Sequence, residues 1–235
     1  MNLTFNAFSS QQIEAMNIEQ LLDAVFEDGQ AARACLTCSF QAEDIIVLDL
    51  LRKRLPQIPV LFLETGYHFA VTYEFRDRLA SEWNLNLVNV FPEKTVVQQE
   101  AERGRLYQAD PTACCQLRKV APLMRALESF EIWFTGLRRE QSPTRATLKK
   151  IEHHRLPSGK TVLKVSPLAD WTWVRVWEYT GGRRLAYLPL YDAGYPSIGC
   201  EPCTARPADP DNARSGRWGG RKLECGIHTF SQGAE

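Results

Sequence analysis

An α/β chain built on a doubly wound, mostly parallel sheet is the fold class this sequence predicts, and three observations predict it. Short apolar runs within 31–40, 58–63, 85–91 and 131–135 are nearly continuous, as strands buried on both faces must be. Between them lie longer stretches with apolar residues at helical spacing, the alternation that makes parallel strands with helical crossovers. Polar turns follow three of the four runs, where open parallel sheets place their ligands.

Taken in order, Leu21, Leu22, Val25 and Phe26 lie at helical spacing and predict a helix over 18–26, ending near Gly29. A strand follows over 31–40, then a short polar loop and an amphipathic helix over 43–54 that stops before Pro56. The strand over 58–63 leads into the turn Glu64-Thr65-Gly66 and a helix over 69–83. A third strand at 85–91 precedes a helix over 95–103, a further helix runs from the Cys114-Cys115 pair to about 130, and a fourth strand covers 131–135. Beyond 147 the pattern becomes a hairpin, 149–156 and 161–165, turning at Pro157-Ser158-Gly159. A helix is expected over 171–180; the remainder is rich in Gly, Pro and Arg. The expected organisation is one domain over 1–205, followed by a mobile tail over 206–235.

At 235 residues the chain suits one sizeable core. Lys+Arg and Asp+Glu balance at 28 each, which gives no field to attract nucleic acid or a membrane surface. No apolar run is long enough to span a bilayer and the polar stretch Met1–Asn6 offers no signal region, so a soluble cytoplasmic protein is expected. The oligomeric state is open, a homo-oligomer included.

Seven cysteines without an export signal point to metal or redox chemistry rather than a disulfide framework. Cys35 and Cys38 lie three apart on an expected strand, face opposite ways, and read as buried core thiols. Cys114-Cys115 and Gly199-Cys200-Glu201-Pro202-Cys203 differ, because Gly199 and Pro202 fit a turn that presents two thiolates to one centre. With the tandem pair they supply four soft ligands, suited to zinc or an iron–sulfur cluster. Adjacent cysteines chelate one tetrahedral ion awkwardly but can bind two irons of a cubane, which favours 4Fe-4S. Arg118 and Lys119, one turn beyond the pair, would separate such an anionic cluster from an anionic substrate.

Cys225 stands alone near the C-terminus within Arg221-Lys222-Leu223-Glu224-Cys225-Gly226-Ile227-His228, and reads as a nucleophile on a mobile segment. Cations lower a thiol pKa, but a drop of about two units gains roughly 20-fold in thiolate and loses roughly 8-fold in nucleophilicity. Arg214, Arg217, Arg221, Lys222 and His228 therefore read as drawing an anionic substrate to the thiol, with Glu224 opposing them. Three loops carry matching chemistry. Ser39–Asp44, which includes Gln41, joins a strand to a helix N-terminus, where phosphate binds well. Glu64-Thr65-Gly66 ends the next strand, and Thr135–Arg145 leaves the fourth carrying three arginines. Three such loops at one sheet edge point to a nucleotide site.

Together these stretches resemble the adenylyl-sulfate and phosphoadenylyl-sulfate reductases of assimilatory sulfate reduction. The likeness is carried by Ser39–Asp44, Leu63–Tyr73, Cys114–Leu123, Thr135–Arg145, Gly194–Thr204 and Glu224–His228. The resemblance implies an adenine nucleotide alpha hydrolase-like sheet, a 4Fe-4S cluster on Cys114, Cys115, Cys200 and Cys203, and a preference for adenosine 5'-phosphosulfate. It implies that Ser39, Gln41, Thr65, Gly66 and Gly136 hold the nucleotide, that Lys119, Arg138, Arg214 and Arg217 neutralise the phosphosulfate, and that His228 orients the sulfonate or the tail. Cys225 would form an S-sulfocysteine, released as sulfite by thioredoxin or a glutaredoxin-like dithiol, since no second cysteine lies nearby. Arg175, where the family has Asp before Val-Trp, and Gly181-Gly182-Arg183-Arg184 depart from the pattern. Other readings on the sequence are the same chemistry on the 3'-phosphorylated substrate, RNA thiolation, and a nucleotide-binding cluster sensor.

Overall fold

The structure, a computed structural model, describes residues 8–27, 33–209 and 212–228. The expected helix end at Gly29, the strand start at 31–32 and the tail residues 210–211 and 229–235 lie outside the described residues, as does Met1–Asn6.

Reciprocal capping opens the chain. Ser9 with Gln12 starts α1 (Ser10–Ala15), and Asn17 with Gln20 starts α2 (Ile18–Phe26). α1, which the periodicity does not reveal, is too short for one. The strands are β1 (Ala34–Thr37), β2 (Val60–Leu63), β3 (Leu87–Val90), β4 (Ile132–Phe134), β5 (Ile151–Arg155) and β6 (Thr161–Val165). β1 to β4 are shorter than the apolar runs that predict them, because residues such as Cys38, Phe40 and Ile58 enter the core from beyond the strand ends, whereas β6 keeps its expected bounds.

The sheet order is β3-β2-β1-β4-β6-β5, parallel throughout except for the β5–β6 hairpin. Its two faces bury separate clusters. Leu36, Phe62, Phe134 and Val165 pack with α2, α3 (Ala42–Arg52) and α9 (Trp173–Gly182) on one side. Cys35, Leu61, Trp133 and Val162 pack with α8 (Ala121–Leu127) on the other. The doubly wound expectation holds, and so does the opposite-face argument: Cys35 and Cys38 are both buried, in different clusters. Burial pushes both thiols up, which suits packing rather than chemistry.

α4 (Ala70–Glu82) follows β2, and α5 (Val96–Arg103) follows β3 under a Thr95–Gln98 capping box. The helix expected after the cysteine pair begins before it. α6 (Leu106–Ala109) leads to α7 (Pro111–Cys115), where Pro111 opens the first turn and Asp110 accepts from the N–H groups of Thr112 and Ala113. A π turn, Gln116–Val120, then joins α7 to α8. Such one-residue bulges recur at functional sites.

Candidate active site

The strand order reverses between β1 and β4, and there the loops leaving their C-terminal ends part around a cleft of about 620 Å³. The β1 loop turns at Phe40, whose φ of 61° is unusual for a side chain of that size. The fully buried ring is held edge-on to Phe62 and Phe75, at 5.9 and 6.4 Å. With Phe40 fixed inward, Ser39 and Gln41 line the cleft. Ser39 donates from N–H and Oγ to Asp44 at 2.6 and 2.7 Å. Burial raises the Asp44 carboxyl to about 6 in spite of those bonds. Gln41 donates to Ser39 Oγ and accepts from the Ile198 N–H, tying the loop to the segment before Cys200.

Gly136 lets the β4 loop pass against this turn, since a Cβ there would lie 2.4 Å from Asp44 Oδ1 and 3.0 Å from the Asp44 nitrogen. Arg138 lines the cleft wall, but its guanidinium is already matched: it is buried, paired with Glu43 and Glu140, and bonded to the Trp171 carbonyl. Glu43 and Glu140 thus fix the guanidinium in the cleft wall. Thr65 and Gly66 follow directly on Leu61, Phe62 and Leu63, which line the cleft, and are held by contacts of their own. The Thr65 carbonyl accepts from Arg118, and Gly66, at φ +72°, makes room for Val96, which a Cβ would approach to 2.6 Å.

A second, smaller chamber adjoins the cleft, and Cys114, Cys115, Cys200 and Cys203 all line it. A 3₁₀ turn over Glu201–Cys203, closed by the Cys203 N–H on the Cys200 carbonyl at 3.0 Å, presents one pair. The end of α7 presents the other. Tyr67, Tyr107 and Trp218 form apolar walls, and Thr65 Oγ1 lies 3.4 Å from Cys200 Sγ. Burial, reinforced by the neighbouring thiols, holds Cys114 up at about 12 and Cys203 at about 11. Among the described residues no group of three or more His, Cys, Asp or Glu side chains is arranged to hold a single metal ion. Four soft thiols around one apolar-walled chamber, flanked by cations, do fit the ligand chemistry of an iron–sulfur cluster.

Lys119, Arg217 and Trp218 line both chambers and so form the wall between them. Burial works against the Lys119 charge, yet Cys200, Cys115 and Cys225 around it outweigh that and shift the ammonium upward. Arg217 is buried over the Trp218 ring at 4.5 Å and donates to the Cys203 carbonyl and Ser197 Oγ. Arg118, expected to share this wall with Lys119, instead turns to the Thr65 and Lys94 carbonyls and Gln99.

The tail closes the cleft. Cys225 lines it, half-buried, and packs against both the α8 core and the four-cysteine chamber. Arg214 also lines it, donates to the Leu223 carbonyl at 2.8 Å and lies 3.7 Å from Glu224. Burial, then the neighbouring Arg145, depresses Arg214 to about 10. His228 lines the cleft stacked on Trp133, centroids 5.4 Å apart and planes 17° off parallel. Burial, then Lys164 and Arg145, holds its imidazole neutral, and its Nδ1 has no hydrogen-bond partner among the described residues. Arg221 and Lys222 do not serve the cleft as expected. Arg221 bonds the Tyr107 and Gln108 carbonyls and Lys222 reaches that of Pro111, where they hold the tail to α6 and α7. Sequence reasoning gave no role to Asp44 and Ser197, although both lie within stretches it singled out, and it missed Trp218, which no motif marks.

A family model described as the phosphoadenosine phosphosulfate reductase domain matches residues 33–206. The chain is similar to the adenosine 5'-phosphosulfate reductase of Geobacillus kaustophilus, 44% identical over 194 residues and 81% of each chain. It is 43% identical over 194 residues to adenosine 5'-phosphosulfate reductase 1 of Bacillus subtilis, covering 81% of this chain and 82% of that one. Over 202 residues it is 43% identical to the adenosine 5'-phosphosulfate reductase of Mycobacterium tuberculosis, covering 83% and 78%. In fold it is similar to the crystal structure of phosphoadenylyl-sulfate reductase from Candida auris, with a TM-score of 0.68 and 23% identity over 83% of this chain and 97% of that one. A more distant likeness of fold is to Candida glabrata FMN adenylyltransferase, TM-score 0.56 and 15% identity over 75% and 57%.

Proposed function

The chain belongs to the phosphoadenosine phosphosulfate reductase family, and from that premise we propose that it reduces adenosine 5'-phosphosulfate to sulfite and AMP. The observation that carries this reading is the position of Cys225: a free thiol on the lip of a nucleotide-sized cleft, beside Lys119, Arg214 and Arg217.

The β1 and β4 loops, with Ser39, Gln41 and Gly136, hold the nucleotide. Lys119, Arg214 and Arg217 take up the phosphosulfate charge. The Cys225 thiolate attacks the sulfur, an S–S bond forms as the S–O bond to the phosphate breaks, and AMP leaves with the bond's electron pair. Neutral His228, stacked beneath the tail, offers Nδ1 to the sulfonate. The S-sulfocysteine is then resolved from outside, because no other cysteine sits on the tail. One thiol of a thioredoxin-like dithiol attacks the Cys225 sulfur, sulfite departs, and the second thiol closes the reductant's disulfide, so two electrons pass from dithiol to substrate sulfur. Such a partner belongs to the cytoplasm, which also suits seven unpaired cysteines.

We assign Cys114, Cys115, Cys200 and Cys203 to a 4Fe-4S cluster. When bound, that group supplies negative charge behind Lys119 and Arg217 and fixes the wall they form. Iron would hold these thiols as thiolates against the upward push of burial.

The test is anaerobic incubation of the cluster-replete protein with adenosine 5'-phosphosulfate and no reductant, then peptide mass spectrometry. A sulfonate adduct on the Cys225 peptide, discharged as sulfite on adding thioredoxin, is the expected result. No adduct with this substrate, or one only with its 3'-phosphorylated form, would overturn the substrate assignment.

A further inference from the structure

We propose that Glu224 is a positioning residue for the nucleophile, acting through a carboxylate–guanidinium lock between the tail and the loop after β4. The proposal rests on the reading of Cys225 as nucleophile. Glu224 immediately precedes Cys225. Its Oε1 accepts from Arg145 Nε at 3.0 Å and its Oε2 from Arg145 Nη2 at 2.7 Å, a bidentate fork, and Thr144 Oγ1 donates to it at 3.0 Å. The Arg145, Glu224 and Arg214 side chains are only 11, 9 and 14% exposed, so solvent screens the lock little.

Glu224 itself does not line the cleft, whereas Arg145 and Arg214 do. The carboxylate stands behind two cations and meets the cleft only through them. Arg145 in turn bonds Gln141, and Gln141 donates to Glu43 at the start of α3. One run of polar contacts therefore links the nucleotide loop to the residue beside the thiol. The tail needs such a tie: between 212 and 228 its regular structure is a 3₁₀ turn, Trp218–Gly220, and one antiparallel bridge, Arg217 to Thr204, and neither reaches Cys225. Without the carboxylate, Arg145 and Arg214 would be left as a like-charge pair beneath Leu223 and Cys225, which favours lifting the thiol off the cleft.

The experiment follows Cys225 alkylation by iodoacetamide in the ligand-free holoprotein, by peptide mass spectrometry, alongside steady-state kinetics. The lock predicts that Glu224→Gln and Arg145→Gln each speed alkylation about tenfold and that the double variant adds nothing further. It predicts that Glu224→Gln lowers kcat about tenfold with KM changed less than about threefold, and that Glu224→Asp, which keeps the charge, falls between. Exchanging the partners, Glu224→Arg with Arg145→Glu, restores slow alkylation. Unchanged alkylation in both single variants, or effects that multiply in the double variant, would overturn it. Failure of the wild-type protein to form a sulfonate adduct, with the alkylation pattern intact, would sink the proposed reaction and leave the lock standing.

Discussion

Gly199→Ala is the substitution with the most calculable consequence, because it acts on the wall between the two chambers without removing a functional group. A Cβ at 199 would lie 2.1 Å from Arg217 Nη2, 2.7 Å from Cζ and 3.0 Å from Nη1. Methyl and guanidinium cannot both occupy that space. The guanidinium is boxed in by the Trp218 ring at 4.5 Å and by its bonds to Cys203 and Ser197, so it must leave rather than adjust. Leaving forfeits hydrogen bonds to a charged group, about 1.5–3 kcal/mol, and removes a cation from the place where the proposed substrate anion binds. If about 2 kcal/mol of anion stabilisation is lost, KM for adenosine 5'-phosphosulfate rises roughly 30-fold at 1.36 kcal/mol per decade. AMP, which lacks the sulfonate, should lose much less affinity by calorimetry. The same substitution in an Arg217→Ala background should do nothing more, since the group it displaces is gone. An unaltered KM, or an equal loss in both backgrounds, would refute the reasoning.

Glu43→Gln leaves Arg138 buried with half its charge partner gone, and should lower stability by about 3 kcal/mol in urea titration; a loss under ~1 kcal/mol would mean Glu140 alone satisfies it. The pH dependence of stability has a definite sign. Burial lowers His68 and His154 to about 4, so the unfolded chain binds their protons near 6.5 and the folded one does not, and stability falls as pH drops from about 6.5 to 4. Asp44, raised to about 6, works in the opposite sense over nearly the same window, but two groups outweigh one, and a urea midpoint that is flat or rising from pH 7 to 5 would contradict this. Arg175 opposes the dipole in the first turn of α9 yet lies 4.4 Å over the Trp171 ring. Arg175→Asp exchanges a stacking gain of ~0.5–1 kcal/mol for a dipole gain of ~0.3–1, so Tm should move by no more than a few degrees; a large shift either way would assign the family departure at this position a structural purpose.

The sheet and its crossovers were legible because buried parallel strands leave uninterrupted apolar runs, and the four cysteines that the fold brings to one chamber were singled out by their spacing. What the sequence hides is which way a polar side chain turns once the loops are closed. Arg118 and Lys119 are neighbours with equal charge, and only the completed chamber decides that Lys119 joins the wall while Arg118 braces Thr65 and Gln99. Arg138 reads as an anion receptor in the sequence, and its pairing with Glu43, 95 positions earlier, comes only with the fold. Thr65 and Gly66 sit at the end of β2, whose Leu61, Phe62 and Leu63 line the cleft, but only the closed fold shows the Thr65 carbonyl taken by Arg118 and Gly66 packed on Val96. Phe40 at positive φ has no sequence signature, because the aromatic packing that enforces it comes from β2 and α4.

The proposed chemistry also explains why the nucleophile is not mounted on the sheet. Attack on the sulfur requires the thiol inside a cleft whose other walls exclude water, whereas discharge of the adduct requires the same sulfur to meet a second protein. A residue on β1 or β4 meets the first demand and fails the second. Cys225 is half-buried, and Leu223, two residues away, is 49% exposed at the rim of the cleft. Past the bridge of Arg217 to Thr204 and the 3₁₀ turn after it, the segment carrying it rests on side-chain contacts, Glu224 with Arg145 and Arg221 with carbonyls near α6. Contacts of that kind are directional enough to aim a thiol and, at roughly 1–3 kcal/mol each, weak enough to release it. A covalent sulfonate on Cys225 would place new negative charge beside Glu224, and like-charge repulsion would then loosen the lock at the step where the reductant needs access.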